Sequence, residues 1–324
     1  MGTAVATAPP QAQPRKSINF WRDGDQIAHF VTFLFAASVF VVTVFLVYEL
    51  WIHSGPSRAK FGFSFLTSTT WNPVTAEFGA LPFIYGTVVT SFLALLISVP
   101  LGVGAAIFLS ELAPPRVSNA LTFLVELLAA VPSVILGLLA YFSLVPIMRQ
   151  SIEPFLKDTL GYLPLFTGPA YGVGYLTAGV ILAIMTFPFI ISISREALLS
   201  VPREQREAAL ALGATKWEST WQVVVPFARL GIIGSVIIAL ARALGETMAV
   251  TMVIGNSTAI HASLLAPGYT IASIIANQFT EADGDVYLSA LVELGLVLFG
   301  LTMVLNAAAQ LLIIATTRKG SRQD

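Results

Sequence analysis

Cysteine is absent from all 324 residues, which excludes disulfides, thiolate nucleophiles and thiolate metal sites but leaves the compartment open. Charge is scarce. Asp, Glu, Lys and Arg make up only 11% of the chain, against about a quarter in an average soluble domain. Histidine occurs three times, at His29, His53 and His261, too far apart in sequence to form a ligand motif. No His-Glu-x-x-His or other catalytic metal signature occurs, so no metal site is expected. None of the five lysines (Lys16, Lys60, Lys157, Lys216, Lys319) follows a glycine. That excludes the Gly-Lys-Ser/Thr loop whose amides and lysine cradle nucleotide phosphates. The net charge of −1 gives no general pull toward nucleic acid or anionic lipid.

What is present is apolar. Hydrophobic residues make up 56% of the chain and the mean hydropathy is +0.81. The charges cluster and leave long stretches with none, among them Gln26–Tyr48, Phe78–Ser110, Leu127–Met148, Thr159–Ser194 and Leu294–Thr317. Each exceeds the ~20 apolar residues that cross a ~30 Å hydrocarbon core. A sixth candidate, 230–254, is interrupted only by Arg242 and Glu246. Backbone amides in lipid need internal partners, and the alternation of a membrane barrel is missing, so the spans are expected to be helices. The predicted fold is all-α and polytopic, with transmembrane helices over 26–51, 83–111, 117–145, 174–194, 230–254 and 286–317.

The first span follows a polar tail and is too long for a signal-peptide core, so it is expected to remain in the protein. Residues 1–25, rich in Ala, Pro and Gln, read as a disordered cytoplasmic tail, residues 26–317 as one permease domain, and residues 318–324 as a second cytoplasmic tail. The outer segment His53–Leu81, with Trp71-Asn72-Pro73, suits an interfacial or re-entrant piece. The outer stretch Met148–Tyr171 reads as a loop on the membrane face. Six spans with both ends inside place twelve basic residues on the inner segments and four (Arg58, Lys60, Arg149, Lys157) on the outer loops. That bias predicts cytoplasmic N and C termini. Proline and glycine inside spans (Pro100, Gly102, Gly104, Pro132, Pro188) permit kinks and close helix approach, mostly as ordinary packing.

Between spans 4 and 5 lies a charged hairpin, Glu207 to Pro226. Ser200 and Pro202 mark a helix start, and Gly213 suits the left-handed conformation that ends one. Thr215-Lys216-Trp217-Glu218 fits a capping box opening a second short helix before Pro226. A solvated inter-span loop does not require two capped helices, so the elbow is expected to dock on something.

The spacing Glu207-Ala208-Ala209, three residues, Gly213, nine residues, then Val223-x-Val225-Pro226 resembles the EAA loop of ABC importer permeases. Val223 and Val225 stand where Ile and Leu are usual. Two further segments, Glu126-Leu-Leu-Ala-Ala-Val-Pro132-Ser133 and Arg242-Ala-Leu-Gly-Glu246-Thr-Met-Ala-Val250, are similar to the phosphate-specific branch, of PstC rather than PstA type. The resemblance covers roughly 82–317. It implies a non-catalytic permease subunit of an ATP-driven phosphate importer in a bacterial plasma (inner) membrane. It also implies coupling to an ATPase through Glu207, Ala208, Ala209, Gly213 and Pro226. The implied partners are a PstA-like permease, a dimer of ATPase subunits that binds ATP and Mg, an external phosphate-binding protein and membrane lipid, with no cofactor in this chain. Sulfate and molybdate permeases carry a related Arg-Ala-Leu-Gly-Glu segment and stay open as alternatives, as does an ion-gradient-driven transporter.

Arg242 and Glu246 point to the same anion class by physics alone. Four residues apart, they are expected on one face midway along span 5, where charges must face protein or a wet cavity. One role is a neutralising pair that locks packing. The other is a guanidinium fork for a passing oxyanion, tuned by Glu246. Glu126, Pro132 and Ser133 in span 3 are candidates for gating or packing.

Overall fold

The computed structural model describes residues 24–320. The expected N-terminal tail, except Gly24 and Asp25, and residues 321–324 lie outside them. The chain divides into two compact units, Met1–Glu49 and Leu50–Asp324. The first contributes most of α1 (Gly24–His53), an apolar helix long enough to cross a membrane.

The second unit opens with two short helices, α2 (Gly55–Phe61) and α3 (Ser64–Thr67), and a hairpin of β1 (Trp71–Asn72) with β2 (Glu77–Phe78). Trp71 pairs antiparallel with Phe78, and Asn72 Oδ1 accepts the Val74 and Thr75 amides across the turn. Helix α4 (Leu81–Ile107) then runs into a wide, π-type turn over Phe108–Leu112. After it come α5 (Pro115–Ala130), α6 (Ser133–Leu139), α7 (Val145–Ile147) and α8 (Glu153–Leu160). Helices α9 (Tyr175–Leu199), α10 (Arg203–Ala211), α11 (Lys216–Ser219) and α12 (Val225–Gly245) follow. Two short helices, α13 (Met248–Val253) and α14 (Ile271–Gln278), precede the long α15 (Asp285–Gly320). Among the described residues six helices are long and apolar enough to cross a membrane.

Two expected boundaries are corrected. The single span over 117–145 is broken: Val131 and Pro132 are both extended, and the crossing helix is instead Ser133–Leu160. Pro132 lacks an N–H and biases the residue before it away from the helical region, so α5 ends there. The expected surface loop over 148–171 is helical as far as Leu160. Pro146 and Pro154 would ordinarily break such a helix, since a proline ring clashes with the carbonyl four residues back. Here π-type turns over Ala140–Leu144 and Met148–Ile152 hold those carbonyls. The wider turn makes room for the ring, and the helix continues. Glu153 is fully buried below the loop that follows, its Oε2 accepting the Gly172 amide at 2.9 Å.

Three cores hold the second unit together. Helix α4 lies along α9, and α9 along α12, with Ser194 and Ser235 hydroxyls joined at 2.8 Å across the latter pair. An aromatic cluster of Phe65, Trp71, Phe78 and Phe83 packs with Tyr269 and Leu291. There Trp71 Nε1 donates to Gln278 Oε1 at 2.8 Å, so the 53–81 segment folds onto α14 and α15. The central core joins Leu136 and Ala140 to Tyr175, Leu182, Met185, Ala249 and Val253. A smaller core of Ala106, Ile107, Leu198, Val201, Val224 and Ala228 ties the ends of α4 and α9 to the start of α12.

Candidate translocation and coupling sites

The last turn of α12 carries Arg242, and the helix stops just beyond it. Glu246 is extended (φ −69°, ψ 127°) at the break, and α13 starts after Thr247. The expected span over 230–254 is therefore two helices. Glu246 and Arg242 do not share a continuous helical face, because an extended residue abandons the 3.6-residue period. Among the described residues no ion pair joins them. A locking pair is thus not what Arg242 makes. Its guanidinium carbon lies 4.4 Å from the ring centroid of Phe189 on α9, and its buried Nε has no hydrogen-bond partner. Stacking on an aromatic face is worth up to about 2 kcal/mol when desolvated. It also spends none of the fork's donors.

The two segments singled out in the sequence are brought together by their breaks. Pro132 stands just before α6 and Ser133 is its first residue; the extended Glu246 and Thr247 stand before α13. Helices α6 and α13 meet at Gly137, where an added Cβ would sit 2.7 Å from Ala249 Cα. Backbone cannot move aside as a side-chain tip can. Gly137→Val should therefore destabilise this contact by about 1–3 kcal/mol, read as a lower melting temperature of the purified protein. An unchanged melting temperature would mean that the two helices part easily. Glu126 is exposed on α5 and is not drawn into this group.

At the other end of α12, the elbow forms as its sequence specifies. Helix α10 closes with paired bonds, Ala214 N–H to Ala209 O at 3.2 Å and Gly213 N–H to Leu210 O at 3.0 Å. This is the Schellman arrangement, which needs a left-handed residue at Gly213, found at φ +90°. Glu218 Oε2 accepts the Thr215 amide at 2.8 Å, and Thr215 Oγ1 accepts the Glu218 amide at 3.3 Å, closing the capping box. Glu207 and Ala208 are exposed, Ala209 is half-buried, and Leu212 at the tip is 91% exposed. Pro226 does not end a short helix as expected. The chain is helical from Lys216 to Gly245, because another π-type turn over Thr220–Val224 takes up the proline.

Sequence reasoning missed the bond that holds the elbow down. Arg206 reaches Glu111 with two donors, Nε at 3.2 Å and Nη2 at 2.9 Å. The partners are 95 residues apart, and no local pattern links them.

Residues 98–316 match the family of binding-protein-dependent transport system inner membrane components, more than half of the chain. The chain belongs to this family. Permeases of the family are non-catalytic membrane components, and this member is a multi-pass membrane protein. The phosphate transport system permease protein PstC of Mesorhizobium japonicum is 48% identical over 294 residues, covering 90% of both chains. PstC of Xylella fastidiosa (strain Temecula1) is 50% identical over 262 residues, 80% of this chain and 81% of its own. A bacterial ABC transporter that imports the polysaccharide alginate shares the fold. Its TM-score is 0.60 at 16% identity, covering 90% of this chain and 97% of that one.

Proposed function

We propose that this permease is the membrane-spanning subunit of an ATP-driven importer of inorganic phosphate in a bacterial plasma membrane, with both termini cytoplasmic. The observation that carries the reading is near-half identity to named phosphate permeases along 80–90% of the chain. The geometry is in keeping with it. Arg242, stacked and unspent, offers a planar fork of the kind that binds tetrahedral oxyanions. Glu246, in the break beside it, repels anions and so keeps them from lingering. Pro132 and Ser133 start the helix that faces α13 and take the gating role; Glu126 lies apart from them.

The rest of the machine is supplied by partners: a PstA-like permease as heterodimer mate, two ATPase subunits that bind ATP and Mg, and an external phosphate-binding protein. Glu207, Ala208, Ala209 and Gly213 on the elbow engage the ATPase, and Pro226 sets where the elbow joins α12. Closure of the ATPase pair moves the elbow, and the spans reorient from outward to inward access.

Deleting the gene should abolish growth on limiting phosphate and high-affinity uptake of labelled phosphate. Unlabelled phosphate should compete for restored uptake, whereas sulfate and molybdate should not. Competition by sulfate alone would move the assignment to that anion. Orientation is tested on a chain with no native cysteine. Ala262→Cys, in an exposed loop, should react with an impermeant thiol reagent on intact cells, and Leu212→Cys at the elbow tip should not. The reverse pattern would invert the topology.

A further inference from the structure

Helix α10 has no buried residue, and all of it is exposed except the half-buried Arg206 and Ala209. Among the described residues, Arg206 is its only side chain that hydrogen-bonds to another element. That side chain is half-buried, at 20% exposure, against a Glu111 side chain at 12%. All three nitrogens of its planar fork are engaged. Nε and Nη2 meet the two oxygens of Glu111 at 3.2 and 2.9 Å. Nη2 also donates to Leu198 O at 2.7 Å, and Nη1 to Val201 O.

The acceptors belong to two parts of the fold. Glu111 lies in the π-type turn that ends α4. Leu198 and Val201 lie at the C-terminal end of α9, where helix carbonyls lack intrahelical partners and a cation is favoured. The same turn is tied to α5, since Ser118 Oγ donates to Leu109 O at 2.7 Å. Below the fork is the small core of Ala106, Ile107, Leu198 and Val224. A bidentate, partly buried pair resists rotation as well as separation. Surface ion pairs lack that stiffness.

We propose that Arg206 is a positioning residue for transport: through Glu111, Leu198 and Val201 it makes α10 move as one body with the cytoplasmic ends of α4 and α9. This rests on the reading of the elbow as the ATPase contact, and adds the route by which its displacement reaches the spans. Without the fork, α10 is held only through the extended Pro202 (φ −57°, ψ 142°) and the left-handed Gly213 (φ +90°), and its motion is lost before it reaches the membrane.

The test uses the complete transporter reconstituted in vesicles, with ATPase-subunit retention, ATP hydrolysis and phosphate uptake measured on one preparation. Arg206→Gln should retain its ATPase subunits and hydrolyse ATP, while phosphate moved per ATP falls about tenfold. Arg206→Lys, which keeps charge but not the fork, should fall between. The Arg206→Cys/Glu111→Cys double variant should be uncoupled when untreated and recover most of its coupling when bridged by a short bismaleimide. An unchanged ratio in Arg206→Gln overturns the proposal, and so does failure of the bridged pair to recover. If Arg206→Gln does not assemble, the bridged and unbridged pair decide alone. A wild-type transporter that never retains ATPase subunits contradicts the docking reading instead, since it leaves no coupling to measure.

Discussion

Arg242→Gln should leave the complex assembled and reduce phosphate uptake by about two orders of magnitude, the usual scale for removing one charged partner of an oxyanion. Assembly should survive because, among the described residues, Arg242 is not half of an ion pair. Its contact is the ring of Phe189 at 4.4 Å, and its buried Nε has no partner to strand. Arg242→Lys keeps the charge but neither stacks nor forks in the same way, so uptake should fall by a smaller factor. Glu246→Gln separates the alternatives further. If the two charges served to neutralise each other, it would be as harmful as Arg242→Gln. If Glu246 only limits how tightly anions are held, the variant should bind phosphate more tightly and release it more slowly. Complex yield and initial uptake rate from the same preparation check all three. Full uptake by Arg242→Gln would leave Arg242 as scaffold.

Gly213→Val should break coupling with insertion into the membrane intact. Gly213 has φ +90°, and a Cβ there would meet nothing within 4 Å. The requirement is thus conformational, and space plays no part. A branched residue held in that region costs about 1–3 kcal/mol, enough to shift a two-state equilibrium roughly 5- to 150-fold. Asparagine tolerates left-handed backbone and should be the mildest replacement. Proline should be the harshest, since it fixes φ near −65° and deletes the N–H that bonds Leu210 O. Pull-down of the ATPase subunit together with uptake should follow the order Asn, Ala, Val, Pro. Equal activity across the four would remove the elbow from the coupling path.

Much of this was legible in the residues, and the misses share a cause. Charge-free runs locate the spans because lipid excludes charge wherever the chain folds. The elbow was legible too, since Gly213 and the Thr215–Glu218 box act over three or four residues and need nothing distant. Hydropathy does not register a break that stays apolar. Val131-Pro132 therefore passed as a span interior. Glu246-Thr247 passed for another reason: a lone charge in an apolar run reads as a buried functional group, and here it also marks a helix end. Each pair precedes a short helix of the α6–α13 contact. Pro226 misled in the opposite direction. It reads as a stop, but a wide turn upstream carries the helix through it. The Arg206–Glu111 link is invisible for another reason: it depends on α4 and α9 ending at the same depth, a property of packing and not of any window of sequence.

The most direct test is transport by the purified complex in proteoliposomes with the external binding protein supplied and ion gradients dissipated. The account predicts labelled phosphate accumulation only when ATP and Mg are on the ATPase side, with a Walker-A subunit co-purifying with this chain. Accumulation without ATP, driven by an imposed proton or sodium gradient, would contradict it.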